Sequence, residues 1–320
     1  MQPCRFRCYT KSRMRCAKGL RIACALIPAI LWASGLLAQG PIEPQISADE
    51  LVRQTVAHEV AAANETGIKH MFVSHRKTPK GSQTHLYVET NDAMAGMLIA
   101  INDEPLTPQQ QQGENNHLAW LTNNPDQLRK KHTREKEDSD RTLRIVKAFP
   151  DAFRYQYAGT ENGREYMGRP GDQLVRVNFT PNPAYSPPSH VEQVLTGMQG
   201  YLLIDTAEHR IARIDGNLFR EVSFGWGIIG HLDKGGHFLV QQADVGDHSW
   251  EITLMDLKIT GKILLFKSLS MISSETLSDF QRVPTDLPFA KGVDLLKAER
   301  EKIAHKSPAS ESAISKEEPR

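Results

Sequence analysis

From residue 200 to residue 269 the chain repeats one pattern: a short run with strand character, then a link of two or three turn-forming residues. Thr206-Ala207-Glu208, Asp215-Gly216-Asn217, Lys234-Gly235-Gly236, Gly246-Asp247 and Thr260-Gly261 are hairpin links. A parallel crossover needs a dozen residues or more, so links this short force antiparallel pairing. The strands expected here are Gly200–Asp205, Arg210–Asp215, Leu218–Phe224, His237–Val245, Ser249–Ile259 and Lys262–Leu269. The same pattern precedes them at Ile68–Lys77, Thr84–Glu89, Met97–Asn102, Phe153–Tyr157 and Leu174–Phe179, with Pro79-Lys80-Gly81 and Asn91-Asp92 as turns.

One helical stretch precedes the strands and another interrupts them. Ser47 and Glu50 form a capping-box pattern ahead of a helix running to Asn64, whose apolar stripe is Leu51, Val52, Thr55, Val56 and Val60. Ala61, Ala62 and Ala63 put small residues in its last turn. Residues 108–150 form a polar helical insertion anchored by Leu118, Leu121, Leu128, Leu143, Val146 and Phe149, and its span Lys130–Arg141 reads as a solvated face. Residues 288–302 are helical again, and the tail 306–320 has the composition of a disordered segment. The expected fold is α+β: a strongly curved antiparallel sheet of about ten or eleven strands, an unclosed barrel, with an N-terminal helix and a helical insertion. A closed barrel or a sandwich is left open by the pattern.

Residues 1–38 carry Arg5, Arg7, Lys11, Arg13, Arg15, Lys18 and Arg21 without an acidic residue, and an apolar run from Ile22 to Ala38 follows. That order reads as a secretory signal peptide cut after Ala38, with 39–46 as an extended leader and 47–305 as one domain. The other reading, an uncleaved anchor, has a proline-interrupted run at the short limit of a membrane span. All four cysteines (Cys4, Cys8, Cys16 and Cys24) fall in this segment, so cleavage leaves a chain without disulfides, thiolate ligands or cysteine nucleophiles. The leader also holds the basic excess: without its seven cations, 32 Lys and Arg face 38 Asp and Glu. A mildly acidic chain with no basic block is not expected to bind nucleic acid.

Catalytic patterns are absent from the sequence. There is no G-x-S-x-G elbow, no P-loop, no G-x-G-x-x-G after a strand, and His58-Glu59 lacks a second histidine four residues on. His231 and His237 flank the turn at 233–236 with Asp233 nearby, but a zinc site needs a third convergent ligand. Asp205 and Asp215 sit at hairpin ends, where aspartate is a common turn residue. The expectation is therefore a non-enzymatic protein with no metal and no cofactor.

Several strands are apolar on both faces. In Trp250–Ile259, Trp250, Ile252 and Leu254 alternate against Met255, Leu257 and Ile259. Helices on one face and further strands or the insertion on the other would cover such strands; an open apolar cavity on the concave face is the sharper alternative. The segment Val222–Leu232 sets Phe224 and Trp226 opposite Gly225 and Gly227, which permits close approach of a ligand. Phe224, Trp226, Ile228, Trp250, Ile252 and Leu265 are the candidate cavity residues.

The basic-then-apolar leader, the amphipathic first helix and the hairpin strands together resemble the outer-membrane lipoprotein carrier superfamily. The resemblance implies an unclosed barrel with helices plugging its concave side. Phe179-Thr-Pro-Asn-Pro, Val222-Ser-Phe-Gly-Trp-Gly-Ile-Ile-Gly and Lys234-Gly-Gly-His-Phe are similar to a group of exported bacterial proteins over most of residues 47–296, a group that brings no activity with it. The expected role is an exported protein of the periplasm or outer-membrane face, holding a lipid or the acyl chains of a lipoprotein. The alternatives are an envelope scaffold with a filled core, holding a protein partner through residues 108–150, and a hydrolase with a dispersed His/Asp site.

Overall fold

The computed structural model describes residues 46–306, except 66, 226–228 and 264–266. Helix α1 (Ala48–Asn64) begins where expected: the Ser47 Oγ accepts a hydrogen bond from the Glu50 N–H at 3.2 Å. The reciprocal half of the capping box is not made, because the Glu50 carboxylate accepts from Gln54 Nε2 at 2.9 Å instead. The complete box opens α2 (Pro108–Thr122): Thr107 Oγ1 accepts from the Gln110 N–H, and Gln110 Oε1 accepts from the Thr107 N–H at 2.9 Å. Two otherwise orphaned donors are satisfied there, so Thr107→Ala should cost about 1 kcal/mol. Urea denaturation measures it; an unchanged midpoint would show that packing alone holds this helix end.

Helix α3 (Pro125–Ala152) completes the insertion, α4 is a single turn (His190–Gln193), and α5 (Phe289–Lys306) is the expected C-terminal helix. Strands β1 (Lys69–Thr78), β2 (Gly81–Val88), β3 (Ala95–Ile101) and β4 (Glu104–Pro105) form a first meander. After α3 come β5 (Phe153–Asn162), β6 (Gln173–Pro181), β7 (Met198–Asp205) and β8 (Arg210–Leu218). Then follow β9 (Val222–Phe224), β10 (Gly230–Leu232), β11 (His237–Asp244), β12 (Trp250–Ile263) and β13 (Lys267–Val283).

All thirteen join one sheet in the order β4-β3-β2-β1-β13-β12-β11-β8-β7-β6-β5, with β10 beside β12 and β9 beside β10. Every pair of named strands is antiparallel. The ends β4 and β5 are not paired to each other, so the sheet is unclosed.

The count exceeds the expected ten or eleven, and two predicted turns are corrected. Asp215-Gly216-Asn217 lies inside β8, and Thr260-Gly261 lies inside β12. Glycine is tolerated inside β8 because the Phe238 ring covers Gly216: a Cβ there would fall 2.4 Å from ring carbons. The hairpin between β12 and β13 turns later, after Ile263, which pairs with Lys267.

The two-faced reading of β12 is also corrected. Its ladder with β11 shifts register between Gln241 and Gln242, which pair with Leu254 and Ile252 respectively, so Thr253 is an extra residue in the bulge. Directly opposed residues share a face. Ile252 opposes Gln242 while Met255 opposes Val240, so Ile252, Met255, Leu257 and Ile259 all point one way. Opposite them stand Leu254, Asp256, Lys258 and Thr260, a mainly polar face. The strand is amphipathic once the bulge is counted.

Two main cores lie on opposite faces of the sheet. On one face, α1 and the end of α3 bury Leu51, Val52, Val56, Phe149 and Phe153 against Val177, Phe179, Leu202 and Ile204 of β6 and β7. On the other, α5 buries Phe289, Val293 and Leu296 against Leu86, Val88, Ala95 and Met97 of β2 and β3. The insertion therefore divides between the two faces: the end of α3 packs beside α1, while Leu118 and Leu121 of α2, with Leu128, join the α5 core. A third cluster of Met167, Leu174, Leu203, Ala212 and Trp250 backs β7. Leu202 and Leu203 are both fully buried, so β7 is the strand that is apolar on both sides.

Candidate functional site

The small side chains at the end of α1 leave space between the two helices and the sheet. A cavity of about 480 Å³ opens there. Ala62, Ala63 and Ile68 follow from α1, Leu143 and Val146 come from α3, and Ile211, Ile214, Trp250 and Ile252 come from β8 and β12. Glu59, Arg210, Gln242, His248 and Glu251 supply a polar end. An apolar body with a few convergent polar groups is the ordinary composition of a small-ligand pocket.

The polar end is built around one ion pair. Arg210 approaches Glu59 through two nitrogens, at 3.1 and 3.2 Å, and the Ile211 N–H donates to the same carboxylate at 2.7 Å. Both side chains are largely buried. Burial raises the Glu59 carboxyl above its ordinary value, with the Arg210 charge and the Ile211 hydrogen bond opposing it. The guanidinium carbon also lies 5.7 Å from the centre of the Trp250 ring. Arg210 thus joins α1, β8 and the cavity wall.

A second network stands at the rim. Arg169 pairs with Asp244 at 2.6 Å and with Glu208 at 2.8 Å, and Glu208 meets His248 Nδ1 at 3.0 Å. Burial alone would raise the Glu208 carboxyl, but hydrogen bonds from His248 and Arg169 hold it below its ordinary value. Both carboxylates here converge on Arg169, which braces the strand ends.

Of the candidate residues, Trp250 and Ile252 line this cavity together. Trp250 is 7% exposed and also packs in the third cluster, and its ring nitrogen has no hydrogen-bond partner among the described residues. Phe224 does not reach the cavity: it packs half-buried against the α1 core, with its ring edge-on to His190 at 6.3 Å. Trp226, Ile228 and Leu265 lie outside the described residues. Glu59, Arg210, Leu143 and Val146 were not among the candidates. The three alanines at 61–63 were the available signal for them, since a helix turn that cannot fill space leaves a gap.

The same sheet face continues past the cavity along the β12–β13 hairpin. Leu257, Ile259 and Ile263 stand there with Leu269 and Met271, and Met271 lies directly opposite Ile259. Ile263 is 38% exposed and Met271 46%. This strip is apolar, and among the described residues none of it belongs to either helix-backed core.

The histidine and aspartate candidates are dispersed. His231 pairs with Asp233 at 3.4 Å, while His237 pairs with Asp215 at 3.1 Å. Asp205 caps its hairpin turn by accepting from the N–H groups of Ala207 and Glu208. Among the described residues, no three His, Cys, Asp or Glu side chains gather as a metal site, and no helix is long and apolar enough to cross a membrane. No family model matches the chain, and no curated protein matches it significantly.

Proposed function

We propose that the protein is an exported, non-enzymatic envelope protein that shelters an apolar ligand, a lipid or the acyl chains of a lipoprotein, against the open face of its sheet. One observation carries this reading: the apolar cavity at Trp250 and Ile252 continues into an uncovered strip at Ile263 and Met271. Contiguous apolar surface left in water marks an interaction site in a soluble protein. The leader at residues 1–38 supports an extracytoplasmic setting, although those residues lie outside the described ones.

Native mass spectrometry with lipid extraction tests the reading. Ala62→Phe fills the cavity from the end of α1 and should abolish co-purified lipid. Met271→Ser should weaken lipid uptake while changing stability by no more than about 0.5 kcal/mol, because the side chain is already half in water. A clean apo mass with no uptake on titration would overturn the proposal. The scaffold reading would then lead, supported by the exposed charged span of α3 at Lys130–Arg141.

A further inference from the structure

Farther along α3, a second cavity of about 610 Å³ separates that helix and α2 from strands β2 and β3. Its composition differs from the first. The floor carries His85 and Tyr87, whose rings stack 5.5 Å apart with 16° between their planes. Gly96 lies beneath the phenol, where a Cβ would fall 2.5 Å from a ring carbon, so glycine lets Tyr87 lie flat on β3. The α2 wall carries a second stacked pair, His117 and Trp120, 6.2 Å apart. Trp120 is 47% exposed, the most water-exposed tryptophan of the described residues.

The hydrogen-bonding groups in this cavity are unequally used. Its carboxylates are engaged: Glu135 with Lys131 at 2.7 Å and the Met94 N–H, Glu114 with the Leu98 N–H, and Asp138 with Arg141. Lys130 and Arg134, one turn apart on α3, have no ion-pair partner among the described residues, and they line the same space. On the floor, burial lowers the His85 imidazole, against the pull of Glu114 and Glu275, so it is neutral at pH 7. Burial likewise raises the Tyr87 phenol, which keeps its proton. Neither has a hydrogen-bond partner among the described residues.

We infer that this cavity binds a sugar ring bearing a phosphate or carboxylate. The apolar face of a pyranose matches the exposed ring of Trp120 and the half-buried ring of Tyr87, which are apolar bodies with polar edges. Its hydroxyls meet the free phenol and imidazole, which can both donate and accept. Its acid meets Lys130 and Arg134, where charge-assisted bonds are strongest. A bare anion would leave the aromatic walls unused, and an uncharged sugar would leave the two cations unmatched. The site goes beyond the apolar-ligand reading and does not depend on it.

Isothermal titration calorimetry on the full chain tests it, with glucose 1-phosphate, glucose, inorganic phosphate and adenosine monophosphate as probes. Glucose 1-phosphate should bind most tightly; glucose should bind at least about tenfold more weakly, the cost of losing a charge-assisted contact, and phosphate at least about tenfold more weakly, the cost of losing the ring stacking and the hydroxyl bonds. Trp120→Ala, and Lys130→Ala with Arg134→Ala, should each lower affinity by about tenfold, and all three positions are exposed enough for the variants to fold. Ala62→Phe should leave it unchanged, which separates this site from the apolar cavity. A dodecyl ester of the same sugar phosphate that binds more tightly, with the gain erased by Ala62→Phe, would assign the sugar to a lipid headgroup; equal affinity would assign a free saccharide. Absence of glucose 1-phosphate binding, tighter binding of the nucleotide, affinity no greater than for phosphate, or indifference to the variants would overturn the inference.

Discussion

Arg210→Met will lower stability by about 3–5 kcal/mol at neutral pH, the usual cost of removing one partner from a buried ion pair. The Glu59 carboxylate would be left in the helix–sheet seam with the Ile211 N–H as its remaining strong partner. The double variant Glu59→Met with Arg210→Met should recover most of the loss, because the residual cost is that of an unpaired charge. The pH dependence has a defined sign. Burial raises the Glu59 carboxyl and Arg210 opposes the rise, so its removal lifts the folded-state value further. A carboxyl raised on folding favours the folded state below its unfolded value, and that benefit is lost as pH rises through the folded value. The deficit of Arg210→Met should therefore shrink as pH falls toward and below 4.5, the ordinary value. Urea titrations at pH 4.5 and 7 measure this. An equal deficit at both would mean that Arg210 acts through its packing on Trp250.

Phe179→Ala should cost a similar amount, about 3–5 kcal/mol, by the different route of an unfilled void. Phe179 is fully buried beneath α1, and its ring centre lies 4.6 Å from that of Phe153. Phe153 in turn meets Phe149 edge-on at 5.5 Å, so the void would open at the centre of an aromatic group that ties α3 to β5 and β6. Such a group relaxes poorly because its rings constrain one another. The measurement is again a denaturant midpoint. A loss below about 1 kcal/mol would show that α1 settles into the space, contrary to a close-packed core. The contrast with Met271→Ser locates the boundary between the filled core and the open strip.

The antiparallel sheet, both long helical stretches and the C-terminal helix were legible because turn chemistry and periodicity are local. Other features were not. The bulge at Thr253 leaves no compositional mark, so period-two counting through β12 assigned Ile252 and Met255 to opposite faces. Strand β13 escaped because Ser270, Ser273, Ser274 and Ser278 give it little β propensity; long ladders with β1 and β12 impose its form. The apolar cavity was legible by half, at Trp250 and Ile252, since an aromatic-rich strand advertises burial but not which element faces it. Arg210 and Glu59 lie 151 residues apart, and no spacing rule connects them. The second cavity had no sequence signal because its aromatic residues belong to β2 and α2, while Lys130 and Arg134 sit within a span that reads as ordinary solvated helix.

The sheet order also sets a clock. β1 finds its outer neighbour β2 at once, but its inner neighbour is β13, and the Ser74–Glu275 hydrogen bond closes a loop of 201 residues. At synthesis rates of about 5–20 residues per second, the first meander waits roughly 10–40 s for the strand that joins it to the rest. Until then its inner edge is an unpaired ladder, the kind of surface that recruits a wrong partner. Closing so long a loop is slow as well as late, since its entropy is lost before the contacts form. The last strand to emerge therefore decides whether the first four belong to this fold or to an aggregate.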